Sequence, residues 1–405
     1  MNRKRVAIID AVRTPIGKYN GILKDIRPDD LAASAIKAIL ERNPAVNPEE
    51  IEEVVLGNAN QAGEDNRNVA RMASLLAGLP VSVAGTTINR LCGSGMDAII
   101  YAARAIAMGE GDVFIAGGTE SMTRAPLVAL KPERSFARGN LSLIDTTIGW
   151  RFTNPILKKQ YGSDSMAETA QKVADQFHIS RLEQDEYAFE SQMRVQTAIE
   201  KGLFETEIVP VTYKDRKGHL ICLEKDEHPR ADTAYEALSQ LSPIVPGGSI
   251  TAGNASGIND GASMLLLMCA EKAAELGIEP LAEYVASAVS GVEPEIMGIG
   301  PVYSTKKLLE RTGKNLEDIG LIELNEAFAS QTLACIQELG LDKDRVNVNG
   351  GSIALGHPLG ASGARITTTL VHEMQRRRVD YGLATMCIGV GQGISILLKR
   401  FNEFI

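Results

Sequence analysis

Hydrophobic positions along this chain change period repeatedly, and the changes mark out alternating strands and helices. Val6-Ala7-Ile8-Ile9 and Val113-Phe114-Ile115-Ala116 are short apolar runs bounded by charge or glycine, the pattern of buried strands. Met96, Ile99, Ile100, Ala103, Ile106 and Ala107 recur at helical spacing and stop at Gly109, which predicts a helix opening just after Cys92.

Sliding the chain against itself shows that such elements occur twice. At an offset of 268, the segment from Asn47 to Leu56 falls on that from Asn315 to Leu324, an acidic turn feeding a buried strand in each copy. With no gap, Cys92-Gly93-Ser94-Gly95 falls on Gly360-Ala361-Ser362-Gly363 at the head of a helix, and the strand-like run from Val113 to Thr119 falls on that from Tyr381 to Cys387. Farther on, Gly261 to Leu266 resembles Gly393 to Leu398 at an offset of only 132, so the first copy carries about 136 extra residues (268 − 132). The duplicated pattern predicts an α/β architecture of layered sheets and helices, with the extra segment as a lid-like domain. The expected organisation is an N-terminal half over 1–122, an inserted loop domain over 123–257, completion of the first half over 258–275 and a C-terminal half over 276–405.

Charge narrows the functional classes. A net charge of −9 over 405 residues leaves no cation excess for a nucleic-acid backbone, although a local basic pocket for a phosphorylated cofactor remains compatible with it. No run of 18 uncharged apolar residues occurs, so neither a membrane span nor a signal peptide is expected. The five cysteines, at 92, 222, 269, 335 and 387, form no Cys-x-x-Cys and accompany no histidine at metal-ligand spacing. They read as free thiols in a reducing, cytoplasmic setting, without a metal.

Three glycine-rich turns hold the candidate chemistry. Cys92 lies in Asn89-Arg90-Leu91-Cys92-Gly93-Ser94-Gly95, at a helix start whose unpaired N–H groups favour a thiolate. A buried inert cysteine fits that position equally well. His357, in Gly356-His357-Pro358-Leu359-Gly360, occupies the place in the second copy that Asn89 holds in the first, so symmetry would bring its imidazole to Cys92 as a base. Cys387, in Cys387-Ile388-Gly389-Val390-Gly391, ends a strand and could serve as general acid and base, while the following glycines present N–H groups to an oxyanion. Asn325 ends another strand, where it could hold a water or simply cap a turn, and Gly253 to Gly261 is a polar turn open to ligand contact or to turn chemistry alone. The remaining cysteines read as packing or surface residues, and Arg376-Arg377-Arg378 as the cationic end of a helix.

Taken together and in this order, the Cys92, Asn325-Glu326-Ala327-Phe328, His357 and Cys387 motifs resemble those of the thiolase family, and the resemblance spans nearly the whole chain. It implies the thiolase fold, with duplicated βαβαβαββ halves in a five-layered α-β-α-β-α core, an inserted loop domain, and a homodimer or homotetramer. It implies that Cys92 attacks a 3-oxo carbonyl after His357 takes its proton, that Cys387 exchanges protons with carbon and with coenzyme A, and that Asn325 fixes a water. The N–H groups of Cys92 and Gly389 would hold the thioester oxygen. Ser256 matches a pantetheine contact, Arg230 a basic residue near the nucleotide, and Met166, Met297 and Phe328 pocket-lining positions. Coenzyme A would be a co-substrate, with no permanently bound cofactor. Ser165 and Val245 replace a histidine and an aromatic residue common in acetoacetyl-specific members. Gln61 to Arg71, Asp145 to Phe152 and Tyr161 to Met166 look like degradative members, including those that cleave 3-oxoadipyl-CoA. The expectation is thus a degradative 3-ketoacyl-CoA thiolase of the β-oxidation type. An acetoacetyl-CoA-forming acetyltransferase, a 3-oxoadipyl-CoA-specific thiolase and a silent CoA or lipid carrier stand as alternatives, and the second-cysteine motif argues against a decarboxylating ketosynthase.

Overall fold

The first half contributes strands β1 (Val6–Arg13), β2 (Ile51–Gly57), β3 (Ala84–Ile88), β4 (Val113–Ser121) and β5 (Asn259–Cys269), and helices α1 (Pro28–Arg42), α2 (Val69–Leu76) and α3 (Ser94–Met108). The computed structural model describes residues 3–215 and 217–402. Between β4 and β5 the chain leaves the sheet and forms helices α4 (Met166–Gln176) and α5 (Arg181–Glu200) with two small hairpins. The second half supplies β6 (Ala282–Gly291), α6 (Gly300–Thr312), β7 (Leu321–Leu324), α7 (Ala329–Leu339), α8 (Leu359–Arg377), β8 (Tyr381–Ile388) and β9 (Gln392–Arg400).

Strand order runs β7-β8-β9-β6-β1-β5-β4-β2-β3, so each half repeats the same arrangement outward from the β1–β6 seam. That seam is short: Ala7 pairs with Glu283 and Ile8 with Ala282, which joins the two halves into one continuous sheet. Residues related by the offset of 268 lie in matching elements, Val54 of β2 with Ile322 of β7 and Val113 of β4 with Tyr381 of β8. Where the first half has β3, the second has a single parallel bridge from Ile322 to Val346.

Three apolar cores explain the layering. On β1, Val6 and Ile8 face one core while Ala7 and Ile9 face another, which is why the strand reads as a continuous apolar run. One core packs α1 and α2 on the outer face of the first half, and another packs α6 and α7 on the outer face of the second. Between the halves, α3 and α8 interleave Met96, Ile99 and Ile106 with Ile366, Leu370 and Met374. Helices thus alternate with sheet surface in five layers. The segment Leu91–Met108 is long and apolar enough to cross a membrane, but its apolarity is spent on this central core.

Two glycines let α3 and α8 meet at their starts. A Cβ on Gly95 would lie 2.6 Å from the Gly360 carbonyl oxygen, and one on Gly363 would lie 2.5 Å from the Met96 nitrogen. These two positions are related by the internal repeat (95 + 268 = 363), so the close crossing is built symmetrically.

Candidate active site

The crossing delivers Cys92 and His357 to one cavity of about 340 Å³. Eight of the ten residues singled out from the sequence line it: Cys92, His357, Cys387, Gly389, Ser256, Met166, Met297 and Phe328. A more open surface depression lined by Lys24, Glu64 and Arg124 lies apart from all of them, and its Arg124 is paired with Glu64.

Cys92 is aimed by a tight turn. Leu91 has φ of 47°, left-handed backbone that a non-glycine residue adopts at a cost of about 1 kcal/mol. The Ser94 hydroxyl stabilises the turn by accepting from the Arg90 N–H (2.8 Å) and donating to the Leu91 carbonyl (2.6 Å). The Gly389 N–H and the N–H of Cys92 itself point at the sulfur. These contacts favour a thiolate, as the helix start suggests, yet burial outweighs them and pushes the thiol up to about 11, with the Glu120 carboxylate adding to the rise. A raised thiol suits a proton that His357 removes during attack, the role the motif resemblance implies.

His357 is held as a neutral base. Its ring Nδ1 lies 2.6 Å from the Ser362 hydroxyl, and that hydroxyl gives its own hydrogen to the Pro358 carbonyl (2.9 Å). With that hydrogen placed on the carbonyl, the network assigns the Nδ1–H tautomer and leaves the lone pair on Nε2. Burial, and secondarily the positive charge of Arg365, lower the imidazole pKa to about 3. A neutral thiol beside a neutral imidazole supports proton transfer during attack rather than a standing ion pair.

Cys387, at the end of β8, is 2% exposed, and burial raises its pKa well above the ordinary thiol value. Asn325 and Arg230 do not reach the cavity wall. Asn325 sits behind it, with Oδ1 accepting from Ser352 (2.6 Å) and its buried Nδ2 lacking a partner among the described residues. Arg365 donates to the same Ser352 hydroxyl and so fixes which way the amide faces. Arg230 lies on the surface; burial first, and then the charge of Arg230, lower the nearby His228 to about 4, and the His228 ring abuts Gly257 of the cavity.

Several supporting roles escaped the sequence reading. Glu120 lines the cavity and accepts from the N–H groups of Ala59 (2.8 Å), Asn60 (3.1 Å) and Gly360 (2.8 Å), tying both halves together; burial raises it to about 7. Glu326, beside Asn325, accepts from Tyr187 and Ser191 of α5 and from Asn347, which docks the insert onto the motif. Ser165 is the N-cap of α4, in a capping box with Glu168, and this places Met166 at the head of that helix and on the cavity wall. Ser352 and Ser362 could have been suspected only from their neighbours in the histidine motif.

The family profiles for the thiolase N-terminal domain and thiolase C-terminal domain match residues 6–271 and 278–400, and the chain belongs to the thiolase family. Thiolases are acyltransferases that cleave 3-ketoacyl-CoA with coenzyme A as co-substrate and no permanent cofactor, and this chain is such an enzyme. It is 56% identical over 400 residues to a β-ketoadipyl-CoA thiolase of Pseudomonas aeruginosa, covering 98% of this chain and 99% of the relative. A 3-oxoadipyl-CoA/3-oxo-5,6-dehydrosuberyl-CoA thiolase of Escherichia coli is 55% identical over 396 residues, covering 97% and 98%. The crystal structure of the Bacillus anthracis acetyl-CoA acetyltransferase superposes with a TM-score of 0.93 at 43% identity, covering 99% of this chain and 100% of the other.

Proposed function

We propose that the enzyme cleaves a dicarboxylic substrate, 3-oxoadipyl-CoA, to acetyl-CoA and succinyl-CoA. The single observation that carries the chemistry is that Cys92, His357 and Cys387, drawn from both halves, line one cavity. The identity above half to 3-oxoadipyl-CoA thiolases supports the substrate, and it favours this role over general fatty-acid β-oxidation.

His357 Nε2 takes the thiol proton as the Cys92 sulfur adds to the C3 carbonyl. The C2–C3 bond breaks, Cys387 donates its proton to C2 of the departing acetyl-CoA enolate, and a succinyl group remains on Cys92. The Cys387 thiolate then deprotonates incoming coenzyme A, whose sulfur attacks the thioester. Cys92 leaves and recovers its proton from His357, so all protons return. N–H groups of Cys92 and Gly389 stabilise the thioester oxyanion, a contribution of about 3 kcal/mol for such donors. Asn325 Nδ2 holds a water toward the enolate oxygen. Ser256 contacts pantetheine and Arg230 the nucleotide end, while Met166, Met297 and Phe328 enclose the acyl chain.

Supporting an oligomer, the edge strand β3 is half-exposed and lies near exposed Leu75, Leu76 and Val81. The test is thiolysis of a 3-ketoacyl-CoA panel by purified enzyme, with sedimentation of the same preparation. The expected outcome is the highest kcat/KM for 3-oxoadipyl-CoA, from particles of more than one chain. Equal rates on neutral chains of the same length would defeat the substrate assignment, and a single-chain particle the oligomer.

A further inference from the structure

The cavity contains one guanidinium whose charge the thiolase chemistry does not use. Arg151 lines it, and among the described residues no other lysine or arginine does. Its Nη1 donates to the Asn60 side-chain oxygen (3.1 Å), a neutral partner, and it makes no ion pair among the described residues. Several other half-buried arginines here are matched by carboxylates, Arg90 by Asp97, Arg124 by Glu64 and Arg181 by Asp185, while Arg71 gives its donors to the Val81 and Val83 carbonyls away from the cavity. A guanidinium has five N–H donors in a planar fork suited to a carboxylate, and a neutral amide oxygen satisfies one of them.

Arg151 is also held in place. Asn60 donates through Nδ2 to the Thr146 hydroxyl (2.9 Å) and carbonyl (3.2 Å), and its backbone N–H is bound by Glu120. The adjacent Ala59 carbonyl accepts from Asn89 in the nucleophile turn, so this network is continuous with the segment carrying Cys92. Ser256 and Gly257 also line the cavity, with the His228 ring against Gly257. Apart from Arg151, the described insert residues that line the cavity, including Ile148, Trp150 and Met166, carry no charge.

We infer that Arg151, oriented by Asn60, binds the terminal carboxylate of the acyl chain and sets the preference for dicarboxylic 3-oxoacyl-CoA substrates. The inference rests on the dicarboxylic reading above and assigns a residue to it. The succinyl group on Cys92 would extend its carboxylate toward the Asn60–Arg151 pair, where charge-assisted, bidentate hydrogen bonds replace water.

The experiment measures kcat/KM for 3-oxoadipyl-CoA and 3-oxohexanoyl-CoA, with the KM for coenzyme A, in the wild type, Arg151→Met and Arg151→Lys. Wild type should prefer the carboxylate. Arg151→Met should lose about 100-fold on 3-oxoadipyl-CoA while holding its rate on 3-oxohexanoyl-CoA, since truncating a buried charge partner penalises only the charged ligand. Arg151→Lys should recover part of the loss, because it restores charge without the fork. Retained activity on the neutral substrate reports that the variant is folded. A wild type that prefers 3-oxoadipyl-CoA, joined to an Arg151→Met that keeps this preference, overturns the assignment of Arg151 alone. Equal losses on both substrates with a raised KM for coenzyme A also overturn it, in favour of a phosphate contact. A wild type without preference overturns the dicarboxylic reading and this inference with it.

Discussion

The turn before α3 and the turn before α8 are copies of one another, yet one presents a sulfur and the other an imidazole. The serines near their helix starts are repeat mates (94 + 268 = 362), and each donates its hydroxyl hydrogen to a carbonyl of the preceding turn, Leu91 for Ser94 and Pro358 for Ser362. The second bond differs. Ser94 accepts from the Arg90 backbone, whereas Ser362 accepts from the His357 ring. At the position matching His357, Asn89 uses its side chain on the Ala59 carbonyl and the Leu91 N–H, so its work is wholly structural. Duplication therefore supplied two equivalent helix starts pressed together at Gly95 and Gly363, and a few side-chain changes divided nucleophile from base.

The sharpest way to break this division is to remove each reactive atom. Cys92→Ser should lower thiolysis by about 10⁴-fold or more, since an alkoxide is far harder to form than a thiolate beside a neutral imidazole. His357→Asn should cost about 10³-fold, within the range for a positioned general base, and should slow iodoacetamide labelling of Cys92. Labelling that is unchanged in His357→Asn would mean that the imidazole does not activate the sulfur.

The repeat was legible because buried strands and helix starts leave strong local signatures, and those signatures carried the layered α/β architecture and the meeting of the two turns, while the family and the five-layered fold came from the resemblance of the four motifs. The helix-start donors around Cys92 are visible in the sequence, while the burial that opposes them is not. The Asn60–Arg151 link joins positions 91 residues apart, one of them in the insert, where no repeat mate exists to flag it. Asn325 was correctly placed at a strand end, but its position behind the cavity wall depends on the Ser352–Arg365 pair, which comes from α8 and the segment before it.

Next in size is an acid–base contrast between two buried groups of the same cavity. His357 has a folded pKa of about 3 against an ordinary 6.5, so the unfolded chain takes up its proton first. Its stabilising contribution is present above pH 6.5 and is lost as pH falls toward 3, amounting to about 3 kcal/mol by about pH 4.5. Glu120 behaves oppositely: raised to about 7 from 4.5, it favours the fold when protonated, and that contribution fades as pH rises through 7. Over about pH 4.5 to 7 the two slopes nearly cancel in the wild type. Urea unfolding should separate them. Relative to wild type, His357→Asn should gain about 3 kcal/mol on acidification across that window, and Glu120→Gln should lose a similar amount. Slopes of the same sign in both variants would contradict the assignment of neutral forms to both groups.

The smallest effect tests the serine comparison itself. Each serine supplies two hydrogen bonds at the head of a central helix, so Ser94→Ala and Ser362→Ala should each reduce stability by about 1 kcal/mol. Only Ser362 restricts a reactive ring. Without its acceptor, the Nδ1 hydrogen of His357 loses its partner, the Nε2-protonated tautomer becomes accessible, and Nε2 no longer carries the lone pair in every molecule. Ser362→Ala should therefore lower kcat by about 10-fold, a loss of about 1.4 kcal/mol in barrier terms, while Ser94→Ala leaves kcat near the wild-type value. Denaturant midpoints and kcat measured on the same two preparations decide the matter. Equal kcat losses in both variants would show that the serines act only through the helix crossing, and the division of labour between the two turns would then rest on the sulfur and the imidazole alone.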